Sequence, residues 1–588
     1  MNGNIKNYTL HILIGMILLA PYKILGQDNV NGIILGIISV FLLIAIKEIK
    51  VNKIYIISLL IMCTCGVISL SNTSLTIDSM QGLSLYIGSI ILYVILVNFK
   101  EQENTILKIV TYVIAASGIF YIIYQGAILK GGILENRIDG NVGYANSYAL
   151  LMIIGIYFNK IREKDSVKEL LDIVFIISIL FTGSRNTLLY LGIYLLVDVI
   201  LNKKEEGKFN LTFGFNIVIA VIGYIFIERI GLLLVLVLPI LFIVYYYLIN
   251  DKNLKAINIL TLLSIPVGGI ALLITGSNLF ERLSSASLKS NELQLRIGYL
   301  EDVISYIKSN PLGGGINTYM YNQGSFQSGF YDVRYVHNSF GQVLFDMGWL
   351  GLLCFIILFV VGILVILKGI NKKKFYYLAL YISIYLHSIL DFDFAYLFTF
   401  LVLMIIVAFA GDTNYEVKLN KKIFFIPVTI IGVYITFTST IAYLGDYCFE
   451  KGKYDTVITL GKIQDASTVD KDVNGKELQF KGYIGQASRD NKGKIQVGIN
   501  ILEDIAGYEN RKSFVYYDLA ITYGELGNKE KAAYYYEKIL EKQKYNLNMY
   551  QAYSNLYSDD KDKQKEIMDR YNTINNNRTE KSKERFKD

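Results

Sequence analysis

The sequence predicts an all-α fold: a polytopic membrane protein of about 14–15 transmembrane helices followed by a C-terminal α-helical repeat domain. Three observations carry this reading. Hydrophobic residues make up 53% of the 588 residues, beside 48 glycines, which exceeds the roughly 45–50% apolar share of a soluble domain. Charge is uneven: about a third of residues 446–588 are charged against about an eighth of residues 1–445. The break near residue 445 therefore divides a membrane body, 1–445, from a water-soluble tail. Within that tail, residues 446–558 carry the spacing of a helical repeat.

The same arithmetic excludes several classes. The net charge of +7 comes almost wholly from the body, where basic residues between spans set topology, so nucleic acid is not an expected partner. Cys63, Cys65 and Cys354 lie in apolar runs and Cys448 opens the tail, giving neither a disulfide framework nor zinc spacing.

A crossing helix needs about 20 mostly apolar residues. Runs of that kind lie at about 8–25, 31–49, 54–71, 81–98, 105–124, 143–159, 169–183, 186–201, 211–227, 231–250, 257–275, 342–368, 375–390, 394–410 and 423–444. The first lacks a small-residue cleavage site and is followed closely by another span, so it reads as a span and not a removable signal. Connections 47–53, 99–104, 160–168, 202–210, 251–255, 368–374 and 411–422 carry lysine and alternate with lysine-poor ones. Lysine marks the cytoplasmic side, so the N-terminus is expected inside and the tail outside.

Arginine is placed oppositely. Of seven arginines in the body, Arg137, Arg185, Arg229, Arg282, Arg296 and Arg334 fall on the lysine-poor side, and only Arg162 on the other. A guanidinium is planar, permanently charged and shaped for bidentate recognition of phosphate or carboxylate. The outer set therefore points to an anion bound at the outer interface; the bland alternative is pairing with carboxylates such as Glu228, Glu281 and Asp332.

Three outer segments concentrate polar residues: 135–146, the short turn 182–186 that holds Arg185, and a long loop at about 276–341. In that loop Leu293, Ile297, Leu300, Ile304 and Ile307 share one helix face, predicting an amphipathic helix along the interface with Arg296, Glu301, Asp302 and Lys308 turned away from the stripe. It stops at Asn310-Pro311, before Leu312-Gly313-Gly314-Gly315, whose glycines permit close backbone approach or a plain turn. Of the three histidines, His11 sits in the first span, while His337 and His387 lie near outer span ends. Histidine is the side chain whose unperturbed pKa is nearest neutrality and so a candidate general base; a structural role is the alternative.

From Arg296 through Tyr299, Pro311-Leu312-Gly313-x-Gly315 and Tyr319 to His337-Asn338-Ser339, Gln342 and Asp346-x-Gly348-x-x-Gly351, the chain resembles the O-antigen ligase / O-antigen polymerase superfamily of polytopic bacterial membrane proteins. Gly143-Tyr-Ala-Asn146 and Ser184-Arg185 are similar to that family's two earlier motifs, and the resemblance covers about residues 10–445. The departures are Ala145 for Pro, Tyr299 for Trp, one residue fewer before Gly313, and Asp346 for Glu.

The resemblance implies transfer of a glycan from an undecaprenyl-pyrophosphate carrier to an acceptor hydroxyl, on the outer face of the bacterial cytoplasmic membrane, in cell-surface polysaccharide assembly. No metal or other cofactor is expected. Arg137, Arg185, Arg296 and, second to these, Arg334 would contact the pyrophosphate. His337 would orient or deprotonate the acceptor hydroxyl with help from Asn338, and Gly313 and Gly315 would set loop geometry. Ligase, polymerase and protein O-oligosaccharyltransferase share this loop, so the acceptor stays open among glycan, cell wall and protein. A transporter or flippase of polysaccharide precursors is the alternative class, but it should place ionisable residues at mid-membrane and show repeated halves, whereas here charge clusters at span ends.

In the tail, Tyr516, Leu519, Ala520, Tyr523, Gly527, Ala532, Tyr536 and Ile539 have the spacing of one tetratricopeptide repeat. One repeat cannot bury its own face, so helical pairs at about 442–462 and 478–506 are expected to supply neighbours, giving a cap on the body or an acceptor-binding or partner-binding groove. Residues 559–588 are charged and Asn-rich and read as a frayed helix or disorder.

Overall fold

Among the described residues, seven helices are long and apolar enough to cross a bilayer: Gln27–Ala45, Ile77–Asn98, Lys100–Leu129, Arg185–Lys204, Thr212–Arg229, Ser339–Lys368 and Phe425–Glu450. They belong to a computed structural model that describes residues 3–46, 50–72, 76–130, 137–207, 209–231, 257–263, 290–412, 421–467, 473–489, 493–506 and 513–586. Helices with connecting turns, and no strands, make up the described residues, so the chain is an all-α polytopic membrane protein. Shorter helices occupy further expected runs: Gly3–Leu19, Lys53–Ser69, Ala145–Ile161, Lys168–Thr182, Lys374–His387 and Leu397–Ala410. The runs at 231–250 and 264–275, together with Arg282 and Glu281, lie outside the described residues. Several short helices are interior elements. Ala145–Ile161 is buried at every position but Lys160, as expected of a helix that faces protein all round.

Small residues let the body close up. Gly32 and Gly36, one turn apart, meet the Lys421–Glu450 helix so tightly that an added Cβ would stand 2.1 Å from Ser439 Oγ and 2.0 Å from Thr436 Oγ1, the small-xxx-small packing of membrane helices. This helix also runs without interruption through the charge break at residue 445.

The described lysine-bearing connections gather at one end; the one at 251–255 lies outside the described residues. Lys6 Nζ donates to Ala45 O at 3.0 Å, Lys100 Nζ to Gly411 O at 3.3 Å, and Asn52 Nδ2 to Asp412 O at 2.8 Å. Asn371 donates to Glu103 at 2.9 Å and Asn104 to Glu163 at 2.6 Å, while Lys160 pairs with Asp198 at 2.8 Å. The opposite end carries the long loop, with the tail docked on it.

The loop forms a helix over Asn291–Ser309, but its buried face is not the aliphatic stripe. Tyr299, Asp302, Val303 and Ile307 are buried, and Ile304 is exposed. Protein covers the Tyr299 side of the helix, where Tyr331 and Phe586 pack, and leaves Leu293, Ile297, Leu300 and Ile304 the freer face, as for a helix lying along a membrane interface. Asp302, expected to face away, accepts from Ser328 N at 2.9 Å and from the Tyr331 hydroxyl at 3.1 Å; burial nonetheless pushes its carboxyl up, against the pull of those hydrogen bonds.

The glycine turn has a structural partner. Ser339–Lys368 is kinked at Gly348, φ 68° and ψ −166°, and the 311–315 segment packs into the kink. Gly314 N and Gly315 N donate to Phe345 O and Asp346 O at 2.7 and 3.2 Å, and Trp349 N donates to Pro311 O at 3.2 Å. The backbone groups freed by the kink are thereby satisfied.

In the tail, Ser513–Glu525 and Lys529–Lys542 pair across a turn at Gly527, with Leu519, Ala520, Tyr523, Ala532, Tyr536 and Ile539 buried between them and their neighbours. Tyr454–Ser467, Val473–Arg489 and Gly493–Ala506 precede this pair. The last segment corrects the expectation of fraying: Lys561–Asn576 and Glu580–Arg585 are helices, and Phe586 buries its ring in the aromatic cluster of the long loop.

Candidate active site

Beside the lysine-poor end, a fully buried carboxylate organises the polar residues. Asp391 stands in the turn between Lys374–His387 and Leu397–Ala410, with its side chain entirely out of solvent. A buried charge must be paired and hydrogen-bonded, and Asp391 is both. Tyr144 Oη donates to it at 2.6 Å, Asn146 Nδ2 at 3.1 Å, and the Arg296 guanidinium lies at 3.4 Å. Burial alone would push the Asp391 carboxyl up; Arg296 beside it, then His337 and His387, more than offset this and hold it down at about 2.

Each partner is delivered by a different element. Tyr144 precedes the first turn of Ala145–Ile161, which also carries Asn146. Arg296 projects from the loop helix and donates to Tyr144 Oη at 3.2 Å and to Leu390 O. Arg137 donates to Asn146 Oδ1 at 2.7 Å and to Thr182 O at 2.6 Å, so it is tied to both the 143–146 motif and the 182–185 turn. Arg185, at the start of its helix, pairs with Glu292 at 2.6 Å, one turn before Arg296. Three of the four expected arginines thus converge.

His337 joins this group. Its Nδ1 lies 3.4 Å from Tyr144 Oη and 3.9 Å from Asp391 Oδ1, and its ring stands edge-on to Phe392 at 4.9 Å and tilted to Tyr299 at 5.9 Å. With one-fifth of its side chain exposed, it is held on one edge and reachable on the other.

Two expected residues, Arg334 and Asn338, are placed differently. Arg334 pairs with Asp28 and lines a separate cavity beside the tail. Asn338 caps Ser339–Lys368, its Oδ1 accepting from Gly341 N at 2.8 Å, because the first turn of a helix leaves donors unsatisfied. Gly313 and Gly315, φ 93° and 98°, hold the turn against the kink, as loop-geometry residues would. His387 is fully buried, its Nδ1 2.6 Å from Asp393 Oδ2 and its Nε2 3.4 Å from Thr187 Oγ1; Asp393 also accepts from Ser147 at 2.8 Å. That second network braces the turn carrying Asp391.

Sequence reasoning missed Asp391 and the Tyr144 hydroxyl. The available signal was Asp391-Phe392-Asp393 at the outer end of an apolar run, where ionisable residues are costly without a task.

A search of curated proteins finds no match to this chain. The family model described as O-Antigen ligase matches residues 170–356, the segment that holds Arg185, Arg296, the glycine turn and His337, and over that segment the chain is similar to the O-antigen ligase family.

Proposed function

We propose that the chain transfers a glycan from an undecaprenyl-pyrophosphate donor to an acceptor hydroxyl on the outer face of the bacterial cytoplasmic membrane. The observation that carries this reading is the convergence of Arg137 and Arg296 on the Tyr144–Asp391–His337 group, with Arg185 tied through Glu292 to the helix that carries Arg296. In this orientation the lysine-rich end is cytoplasmic, and the arginine end and tail are outside.

The donor's leaving group is a pyrophosphate anchored at the interface. Arginines there bind it and stabilise the negative charge that grows on it as the glycosidic bond breaks. Asp391 neutralises part of Arg296 and fixes its direction. Asp391 and Tyr144 also face Nδ1 of His337, which leaves Nε2, on the opposite ring edge, to take the acceptor proton while the acceptor oxygen attacks the anomeric carbon. Asn146 transmits the position of Arg137 to the same carboxylate. Charge neutralisation falls to permanently charged side chains, so the reaction runs without a metal.

The test is transfer in proteoliposomes with lipid-linked oligosaccharide. His337→Ala and Arg296→Ala should insert normally and lose on the order of 10²-fold or more in rate, while lipid-linked glycan accumulates in cells. Full transfer by both variants would sink the proposal.

A further inference from the structure

Between the outer end of the membrane body and the tail lies a second cavity of about 810 Å³, within the roughly 300–1,000 Å³ of ligand clefts. Its walls come from the starts of the Gln27–Ala45 and Thr76–Asn98 helices, from the end of Lys421–Glu450, and from Tyr454–Ser467 and Val473–Arg489. It is distinct from the arginine cluster. Asp28, on its wall, pairs with Arg334 and receives the Tyr335 hydroxyl at 3.5 Å; Tyr335 stacks on Phe392, and Phe392 packs against His337.

Two features define what fits. Gln464 lines the cavity, is fully buried, and has no hydrogen-bond partner for either Nε2 or Oε1. Leaving a buried amide unpaired costs about 1–3 kcal/mol per group, so it calls for a ligand that both donates and accepts, as vicinal hydroxyls do. The second feature is charge. Asp28, Asp78, Asp446, Glu450 and Glu477 line the cavity against Arg334 and Lys481, an excess of carboxylate that repels phosphate and uronate. Tyr447, exposed at the rim with Lys451 Nζ 5.7 Å from its ring centroid, adds an aromatic surface of the kind on which a sugar ring packs.

We infer that this cavity is a saccharide-binding site for a neutral or amino-bearing glycan chain, separate from the pyrophosphate site. It extends the transfer reading by assigning a second, non-catalytic glycan contact, and binding there holds whether or not His337 performs transfer.

The experiment is binding of the full-length protein in nanodiscs to an array of immobilised neutral, amino-bearing and uronic-acid oligosaccharides. Neutral or amino-bearing chains should be retained and uronic-acid chains not. Gln464→Leu and, on the exposed rim, Tyr447→Ala should each lower retention at least tenfold. Retention of no class, retention of acidic chains alone, or undiminished retention in both cavity variants would overturn the inference. Tyr447→Ala removes an exposed side chain, so the test survives if Gln464→Leu fails to fold.

Discussion

The ring of Phe586 stacks on that of Tyr331 with centroids 5.3 Å apart and planes 28° apart. It also faces Tyr299 at 6.3 Å, and Tyr299 packs 5.9 Å from His337. The end of the tail is therefore part of the wall that holds the loop helix. Arg585 and Lys581 add ion pairs to Glu301 on the same helix. Phe586→Ala removes a buried ring, a change worth about 3–5 kcal/mol in a core, and the loss is local to the loop. Limited proteolysis should show faster cleavage within residues 290–336, and transfer should fall, while membrane insertion is unchanged. Parental cleavage and transfer rates would show that the tail does not brace the site.

Asp391→Asn keeps shape and removes charge, leaving Arg296 buried without its counter-ion, at a cost of about 3–5 kcal/mol. The pH dependence follows from the depressed carboxyl. A group whose pKa is lowered on folding contributes fully above its unfolded value, about 3.9, and loses the contribution as pH falls towards about 2. Between pH 5 and pH 8 the pair is complete. Thermal unfolding in detergent should show a deficit for Asp391→Asn that persists at pH 5, 6.5 and 8. A deficit that disappears at pH 5 would contradict the assignment.

Gly313→Ala tests whether the glycine turn is a bracing contact. Gly313 has φ 93°, and an added Cβ would sit 2.7 Å from Gly348 N and 2.8 Å from Asp346 O, both backbone atoms that cannot swing aside. A left-handed non-glycine residue alone costs about 1–3 kcal/mol, so Gly313→Ala and Gly348→Ala should each lower the unfolding midpoint and mimic one another. Normal stability with selectively weakened donor binding would instead make the turn a ligand contact.

What the sequence made legible follows from which properties are periodic or summed. Apolar runs and lysine alternation marked the helices and the face shared by their connections, because each uses many residues. The 137, 185 and 296 arginines were legible because a charge at an apolar boundary stands out. Asp391 was not: its meaning depends on Tyr144, 247 positions away, and nothing local predicts that meeting. The loop helix was legible from its period, but what covers its other face was not: Tyr299 and Val303 join Tyr331, Val336 and Phe586 in one cluster, partners remote in sequence that no local pattern predicts.

Arg334 and Arg296 provide the last prediction. Both are outer-face arginines of the same loop, and by sequence either could hold a pyrophosphate. Arg296 points to a fully buried carboxylate beside His337, whereas Arg334 turns to Asp28 with 40% of its side chain exposed. Asp28 is itself buried, so the pair is half-buried and commits Arg334 to a partner outside the arginine cluster. Arg334→Ala should leave KM for the lipid-linked donor within about twofold, as expected of a site independent of donor binding. Arg137→Ala and Arg296→Ala should instead depress kcat/KM for the donor on the order of 10²-fold. Equal losses on replacing Arg334 and Arg296 would mean that the anion site spans both places, with Arg334 leaving Asp28 when the donor binds.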